Sequence, residues 1–151
     1  MLFHTHLMIG LVFFLLLKDY FTGGNEILFL ALVLLGSIFP DIDDGKSKMK
    51  KASGIIGSII SYLFKHRGIF HSIFMGLGLF VLFIVFWNSY YAFAILIGYG
   101  SHLFGDIITP MGLKLFYPLS DFKIRGPIRV GGLGEWVILF GMGLVVLKSF
   151  F

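Results

Sequence analysis

The chain has 151 residues, of which 58% are hydrophobic and 13% charged. Its mean hydropathy of +0.95 excludes an ordinary soluble domain and indicates a single membrane-embedded domain over residues 1–151. Cysteine is absent from the sequence, which excludes disulfides, thiolate metal sites and a cysteine nucleophile, so any metal must be held by His, Asp or Glu. The net charge of +4 is first a topology signal, because basic residues in short loops orient membrane proteins, and no nucleic-acid partner is expected.

Five hydrophobic segments predict an all-α integral membrane protein. They cover residues 7–17, 27–40, 69–87, 91–108 and 136–151. Because ~20 apolar residues span a bilayer, we predict a compact bundle of about five transmembrane helices. The first two segments are short and are either tilted helices or a partly covered hairpin. The first lacks a basic leading region and a cleavage site, so it is predicted to be retained. Residues 53–64 predict a short interfacial or re-entrant helix.

Basic residues mark two of the predicted connections, residues 41–68 and 109–134. By the positive-inside rule both connections face the cytoplasm. Five alternating crossings then place the N-terminus inside and the C-terminus outside. The sequence therefore predicts a multi-pass protein of the cell membrane with a defined orientation.

This topology gathers the histidines and most of the acids at the cytoplasmic membrane face. These residues are His4, His6, Asp41, Asp43, Asp44, His66, His71, His102, Asp106 and Glu135. Ionisable groups at the edge of spanning helices usually face a partner or a cavity, and imidazoles and carboxylates are ligands for zinc, manganese and iron. His102 and Asp106 are four residues apart and share a helix face. The cluster predicts one or two divalent ions, zinc first, with manganese or iron as alternatives.

Single members of this cluster also have structural explanations. His4 is explained as an interface residue, Asp44 as a cap of the neighbouring helix, and Glu135 as a complement to the helix macrodipole. Separate caps have no reason to concentrate at one membrane face, so the metal-site prediction depends on the whole cluster.

Five motifs carry a resemblance to a known family. HLMIG, FPDIDDGKS, HRGIFHS, GYGSHLFGDIITPMGLKLFYP and GLGEW follow one another along the chain. In this order they resemble the YdjM-like membrane-bound metal-dependent hydrolases, also described as LexA-regulated inner-membrane proteins, over nearly the whole chain. The resemblance implies an inner-membrane location. It implies metal ligands among His6, Asp41, Asp43, His66, His71, His102 and Asp106, further site residues Arg67 and Thr109, and a weaker match at Glu135. Asp44 stands where the PDIDH form of the motif has histidine.

The leading prediction is a metal-dependent hydrolase acting at the cytoplasmic membrane face. Arg67 would stabilise an oxyanion or a phosphate, and Asp43 or Glu135 would accept a proton. Thr109 and Ser72 would orient ligands. An amphiphilic or lipid ester, phosphoesters included, fits a site at this depth, with membrane lipids as the surroundings. Two alternatives stay open: a metal-binding transporter or sensor without hydrolytic activity, and a structural membrane protein whose polar edge recruits a partner.

Overall fold

The chain folds into α-helices in a computed structural model that describes residues 1–43, 48–55 and 68–149. The described helices are α1 (Phe3–Leu17), α2 (Glu26–Ile38), α3 (Lys48–Ala52), α4 (Ile73–Phe86), α5 (Ser89–Ile107) and α6 (Leu133–Lys148). Turns of 3-10 helix cover Lys18–Tyr20, Phe39–Asp43 and Ile69–His71. No strand occurs in the described ranges, where one isolated antiparallel bridge joins Leu113 and Ile124. The all-α prediction is confirmed.

Asparagine starts both α2 and α5. The side chain of Asn25 accepts the backbone N–H of Leu28 at 3.0 Å, and that of Asn88 accepts the backbone N–H of Tyr91 at 3.0 Å. Each satisfies a backbone donor that a helix start leaves without an intrahelical partner. The Tyr91 hydroxyl also accepts the Asn25 backbone N–H at 3.1 Å. The two helices therefore begin side by side, and their other ends also come together.

The α2 and α5 backbones are in direct contact through glycine. A Cβ added at Gly98 would overlap the carbonyl oxygen of Val33 and would lie 2.8 Å from its carbonyl carbon. A Cβ at Gly36 would lie 2.7 Å from the Ile95 carbonyl oxygen. Small residues permit this approach, which is common in membrane helix pairs. Because α5 also packs against α1 and α4, it is the central helix of the described bundle.

Polar side chains lie inside the bundle beside apolar ones, and large apolar side chains also cover its surface. The buried polar residues are Thr5, His6, Ser37, Asp43, His71, Ser72, Ser101, His102, Asp106, Thr109 and Glu135. By contrast, Phe86 at the end of α4 is 82% exposed and Phe140 on α6 is 71% exposed. An apolar surface around an interior that holds polar groups is expected where the surroundings are hydrocarbon.

The number of membrane crossings stays a prediction. Among the described helices, one is both long and apolar enough to span a membrane, and it covers the 18 residues of Phe3–Tyr20. The 13 residues of α2 reach only ~20 Å at 1.5 Å per residue, against a hydrocarbon core of ~30 Å. Most of the interfacial helix predicted for residues 53–64 lies outside the described residues, as do Asp44, His66 and Arg67.

Candidate metal centre

Four side-chain donor atoms face one another where α2 and α5 end. The Nε2 atoms of His71 and His102 are 3.3 Å apart. Asp41 Oδ1 lies 3.8 and 3.7 Å from these two nitrogens, and Asp106 Oδ2 lies 3.7 and 3.9 Å from them. The Asp41 side chain is 18% exposed, whereas the other three residues are buried. Asp41 therefore marks the side on which this cluster reaches the surface.

Three of these donors, from His71, His102 and Asp106, have the spacing of three corners of a small tetrahedral site, since their atoms lie 3.3, 3.7 and 3.9 Å apart. A regular tetrahedron with edges of about 3.7 Å has its centre about 2.3 Å from each corner, and zinc is bound by nitrogen and oxygen at about 2.0–2.2 Å. Shifts of a few tenths of an ångström would bring the donors to that distance. Two imidazoles and two carboxylates also form a ligand set that zinc, manganese and iron accept.

Both imidazoles turn their Nδ1 atoms toward oxygen. His102 Nδ1 lies 2.8 Å from the Ser37 carbonyl oxygen, which can only accept, so this nitrogen carries the hydrogen. His71 Nδ1 lies 3.3 Å from Asp43 Oδ2. A neutral imidazole protonated at Nδ1 has its lone pair on Nε2. The two Nε2 lone pairs are thus placed where one cation could accept both, as in metal sites whose histidines are oriented by outer partners.

His6 lies behind His102. Its ring stacks on that of His102 with centroids 3.9 Å apart, and its Nε2 lies 3.6 Å from Asp106 Oδ1. Neither ring nitrogen of His6 makes a hydrogen bond within the described part of the chain, and the side chain is buried. Buried imidazoles normally have such partners. Asp106 faces His6 with Oδ1, and it faces His71 and His102 with Oδ2.

Two overlapping groups of donors could hold an ion, and donor atoms within each group lie within 4.8 Å of one another. One group contains His6, Asp41 and His102, and the other contains His71, His102 and Asp106. His102 belongs to both, but the contact with Ser37 leaves it a single nitrogen, Nε2, for coordination. The groups are thus parts of one centre.

The predicted ligands that the structure describes meet at one end of the bundle, although four chain elements supply them. The elements are α1 with His6, the turn after α2 with Asp41 and Asp43, the turn before α4 with His71, and α5 with His102 and Asp106. Asp43 lies on the Nδ1 side of His71, away from the Nε2 donors. The prediction for His66 falls outside the described ranges, and so does the prediction for Arg67.

Glu135 connects the starts of α1 and α6. Its Oε1 accepts the backbone N–H of Leu2 at 2.8 Å, and its Oε2 accepts that of Gly131 at 2.6 Å. Both oxygens of Glu135 thus accept backbone N–H groups. The proton-accepting role predicted for Glu135 stays a prediction. His4, which the resemblance did not select, is exposed and lies against the Trp136 ring with centroids 5.7 Å apart.

The two hydroxyl groups predicted to orient ligands instead bond to backbone carbonyls. The Thr109 hydroxyl donates to the Asp106 carbonyl oxygen at 2.8 Å, just after α5 ends. The Ser72 hydroxyl donates to the Ile69 carbonyl oxygen at 2.8 Å, within the turn that carries His71. Both groups fix the backbone beside a candidate ligand and act on its side chain only indirectly.

Sequence reasoning did not identify the Ser37 carbonyl, because a backbone group has no side-chain signature. It also did not identify Tyr99, whose hydroxyl contacts the backbone on both sides of His71. A usable signal for Tyr99 exists in the sequence, since residues 99, 102 and 106 have the i, i+3, i+7 spacing of one helix face.

A family model described as YdjM inner membrane protein matches residues 1–149. The uncharacterized protein YvsG of Bacillus subtilis is 31% identical over 140 residues, which cover 87% of this chain and 84% of that protein. The inner membrane proteins YdjM of Escherichia coli and Shigella flexneri are each 32% identical over 111 residues, which cover 68% of this chain and 55% of theirs. The match thus spans about half the length of these two relatives. No solved structure matches the chain.

Proposed function

This chain belongs to the YdjM family of inner membrane proteins, and we propose that it is a metal-dependent hydrolase whose centre opens at the cytoplasmic membrane face. The observation that carries the proposal is the pair of buried Nε2 atoms of His71 and His102, 3.3 Å apart, with both Nδ1 atoms turned toward oxygen. Two lone pairs so placed need a proton or a metal ion between them, and the carboxylates of Asp41 and Asp106 beside them suit a metal ion. Asp106 supplies a third buried ligand and the partly exposed Asp41 a fourth, displaceable one, because a catalytic zinc keeps one position open to water or substrate.

The geometry supports one ion rather than two. The two donor groups share His102, and one Nε2 atom has one lone pair to donate. Zinc is the first choice because the donor spacing suits tetrahedral coordination, and manganese and iron accept the same ligands.

When bound, such an ion supplies Lewis acidity, which lowers the pKa of coordinated water toward about 7. The surrounding residues then have separate parts. Asp43 holds a proton on Nδ1 of His71 and so keeps Nε2 available. His6, beside Asp106 Oδ1, can hold a proton at Nε2. Arg67, outside the described residues, has the role proposed from the sequence of stabilising an oxyanion or a phosphate.

The proposed substrate is an amphiphilic or lipid ester, phosphoesters included. Two observations support this class. The donors lie at the end of a bundle whose surface is apolar, so a head group at the membrane interface would reach them while its chains stay in lipid. The partly exposed ligand Asp41 provides the side of approach.

The distribution of polar residues favours hydrolysis over transport. A transport path requires polar groups near the membrane midplane and on both sides, whereas the donors gather at one end. At the other end, Lys18 and Glu26 form an exposed ion pair at 2.9 Å, which does not resemble a second ligand cluster.

Elemental analysis tests the proposal. Wild-type protein, His71→Ala, Asp106→Ala and the control His4→Ala would be purified without chelators. We expect about one zinc, manganese or iron per chain in the wild type, retention of the metal in His4→Ala, and its loss in the other two variants. A wild-type protein without metal would contradict the proposal.

Activity separates the hydrolase from the alternative functions. The metal-loaded protein should hydrolyse at least one member of a panel of phosphoesters and carboxylesters presented in mixed micelles, and Asp106→Ala should not. Metal-dependent flux into liposomes, together with inactivity on the whole panel, would instead establish a transporter.

A further inference from the structure

Tyr99 lies on α5 and its hydroxyl bonds to both sides of His71. The hydroxyl is 2.8 Å from the Phe70 carbonyl oxygen and 2.9 Å from the Ser72 carbonyl oxygen. Its single hydrogen is shared between these two acceptors. Tyr99 is 1% exposed, so water does not compete for these contacts.

The backbone of the turn that carries His71 has hydrogen bonds to two other parts of the described chain. The turn is a 3-10 turn of three residues, Ile69–His71, and the backbone N–H of Ile73 donates to the Leu115 carbonyl oxygen at 2.9 Å. The Tyr99 hydroxyl bonds the backbone of this turn to α5, in addition to the side-chain contacts of His71 with His102 and Asp106. The same helix supplies His102 and Asp106 directly, three and seven residues further along.

Gly76 on α4 leaves the space that the Tyr99 ring occupies. A Cβ added at Gly76 would lie 2.7 and 2.8 Å from Cδ1 and Cε1 of that ring. The ring therefore packs against the α4 backbone, which fixes the direction of the hydroxyl. A Cβ at Gly78, on the same helix, would meet no atom within 4 Å.

We infer that Tyr99 is a positioning residue of the metal centre, which sets the distance between His71 and the donors of α5 by holding the backbone on both sides of His71. This inference rests on the proposed metal function. Removing an outer partner of a metal ligand typically weakens metal affinity by about 10–100-fold, and we expect a loss in that range when the hydroxyl is removed.

The test compares Tyr99→Phe with Tyr91→Phe, which removes a hydroxyl from the opposite end of α5, where it accepts the Asn25 N–H. Zinc affinity would be measured by chelator competition, the visible spectrum with cobalt(II) in place of zinc, and the melting temperature without metal. Tyr99→Phe should bind zinc at least about tenfold more weakly and should change the cobalt spectrum. Tyr91→Phe should retain the wild-type affinity and spectrum.

A loss of melting temperature in Tyr99→Phe without a change in affinity or spectrum would show a purely structural role and overturn the inference. If that variant does not fold, Gly76→Ala against Gly78→Ala decides the question. Gly76→Ala should weaken zinc binding and change the spectrum, and equal behaviour of the two glycine variants would overturn the inference. A wild-type protein that binds neither metal would refute the proposed function itself, whereas a metal-binding wild type with an unaffected Tyr99→Phe refutes only this role.

Discussion

Replacing Gly98 by alanine should damage both the helix packing and the metal centre. The added Cβ would lie 2.8 Å from the Val33 carbonyl carbon and would overlap the Val33 carbonyl oxygen. An ordinary contact of about 3.4 Å with the carbon alone requires α2 and α5 to separate by about 0.6 Å, and the oxygen requires more. That separation stretches the 2.8 Å contact between His102 Nδ1 and the Ser37 carbonyl toward the limit of a hydrogen bond. Overpacking costs about 1–3 kcal/mol, and a weakened buried hydrogen bond adds about 1 kcal/mol.

The assay is thermal unfolding in detergent together with zinc affinity. At about 2–4 °C per kcal/mol for a chain of this size, we expect Gly98→Ala to melt about 4–16 °C below the wild type, with zinc affinity reduced by about 10–100-fold. Gly100→Ala is the matched control, because a Cβ there meets no atom within 4 Å. If both variants melt together and bind zinc equally, the close α2–α5 contact does not position His102, and the reasoning is wrong.

Three further predictions concern Asp43, the bound metal and the membrane topology. Asp43→Asn should still bind zinc but about 10–100-fold more weakly by chelator competition, and an unchanged affinity would show that Asp43 does not orient His71. Removing metal with a chelator should lower the melting temperature, and zinc at 100 times its dissociation constant should restore about 2.7 kcal/mol, whereas no shift on re-addition would contradict binding to the folded state. A reporter fused to the C-terminus that is active only outside the cytoplasm should be active, and an inactive but expressed fusion would contradict an odd number of crossings.

The sequence located the helices and the gathering of donors because both follow from the hydrophobic pattern. The segment predicted at residues 91–108 is the helix Ser89–Ile107, and alternation of the segments brought distant histidines to one end. The separate positions of Asp41 and Asp43 could not be predicted. The two residues are two positions apart in a 3-10 turn, where such residues point in different directions. Only tertiary packing decides which carboxylate faces which nitrogen of His71.

The Ser37 carbonyl illustrates a second limit. Its contact with His102 depends on how closely two backbones approach, and that approach depends on Gly36 and Gly98 in different helices. In the sequence, each glycine on its own is an ordinary small residue in an apolar segment. Pairing them requires the register between α2 and α5, and a single sequence does not contain that register.

The four proposed ligands come from three elements that are far apart along the chain, the turn after α2, the turn before α4 and α5 itself, and this gives the proposed ion a second consequence. An ion bound by these elements would link them at one end of the bundle, and its loss would remove that link. Ligand binding to the native state raises its stability, so the lifetime of the protein in the membrane would follow the metal supply of the cell. Metal scarcity would then lower the amount of the protein as well as its activity.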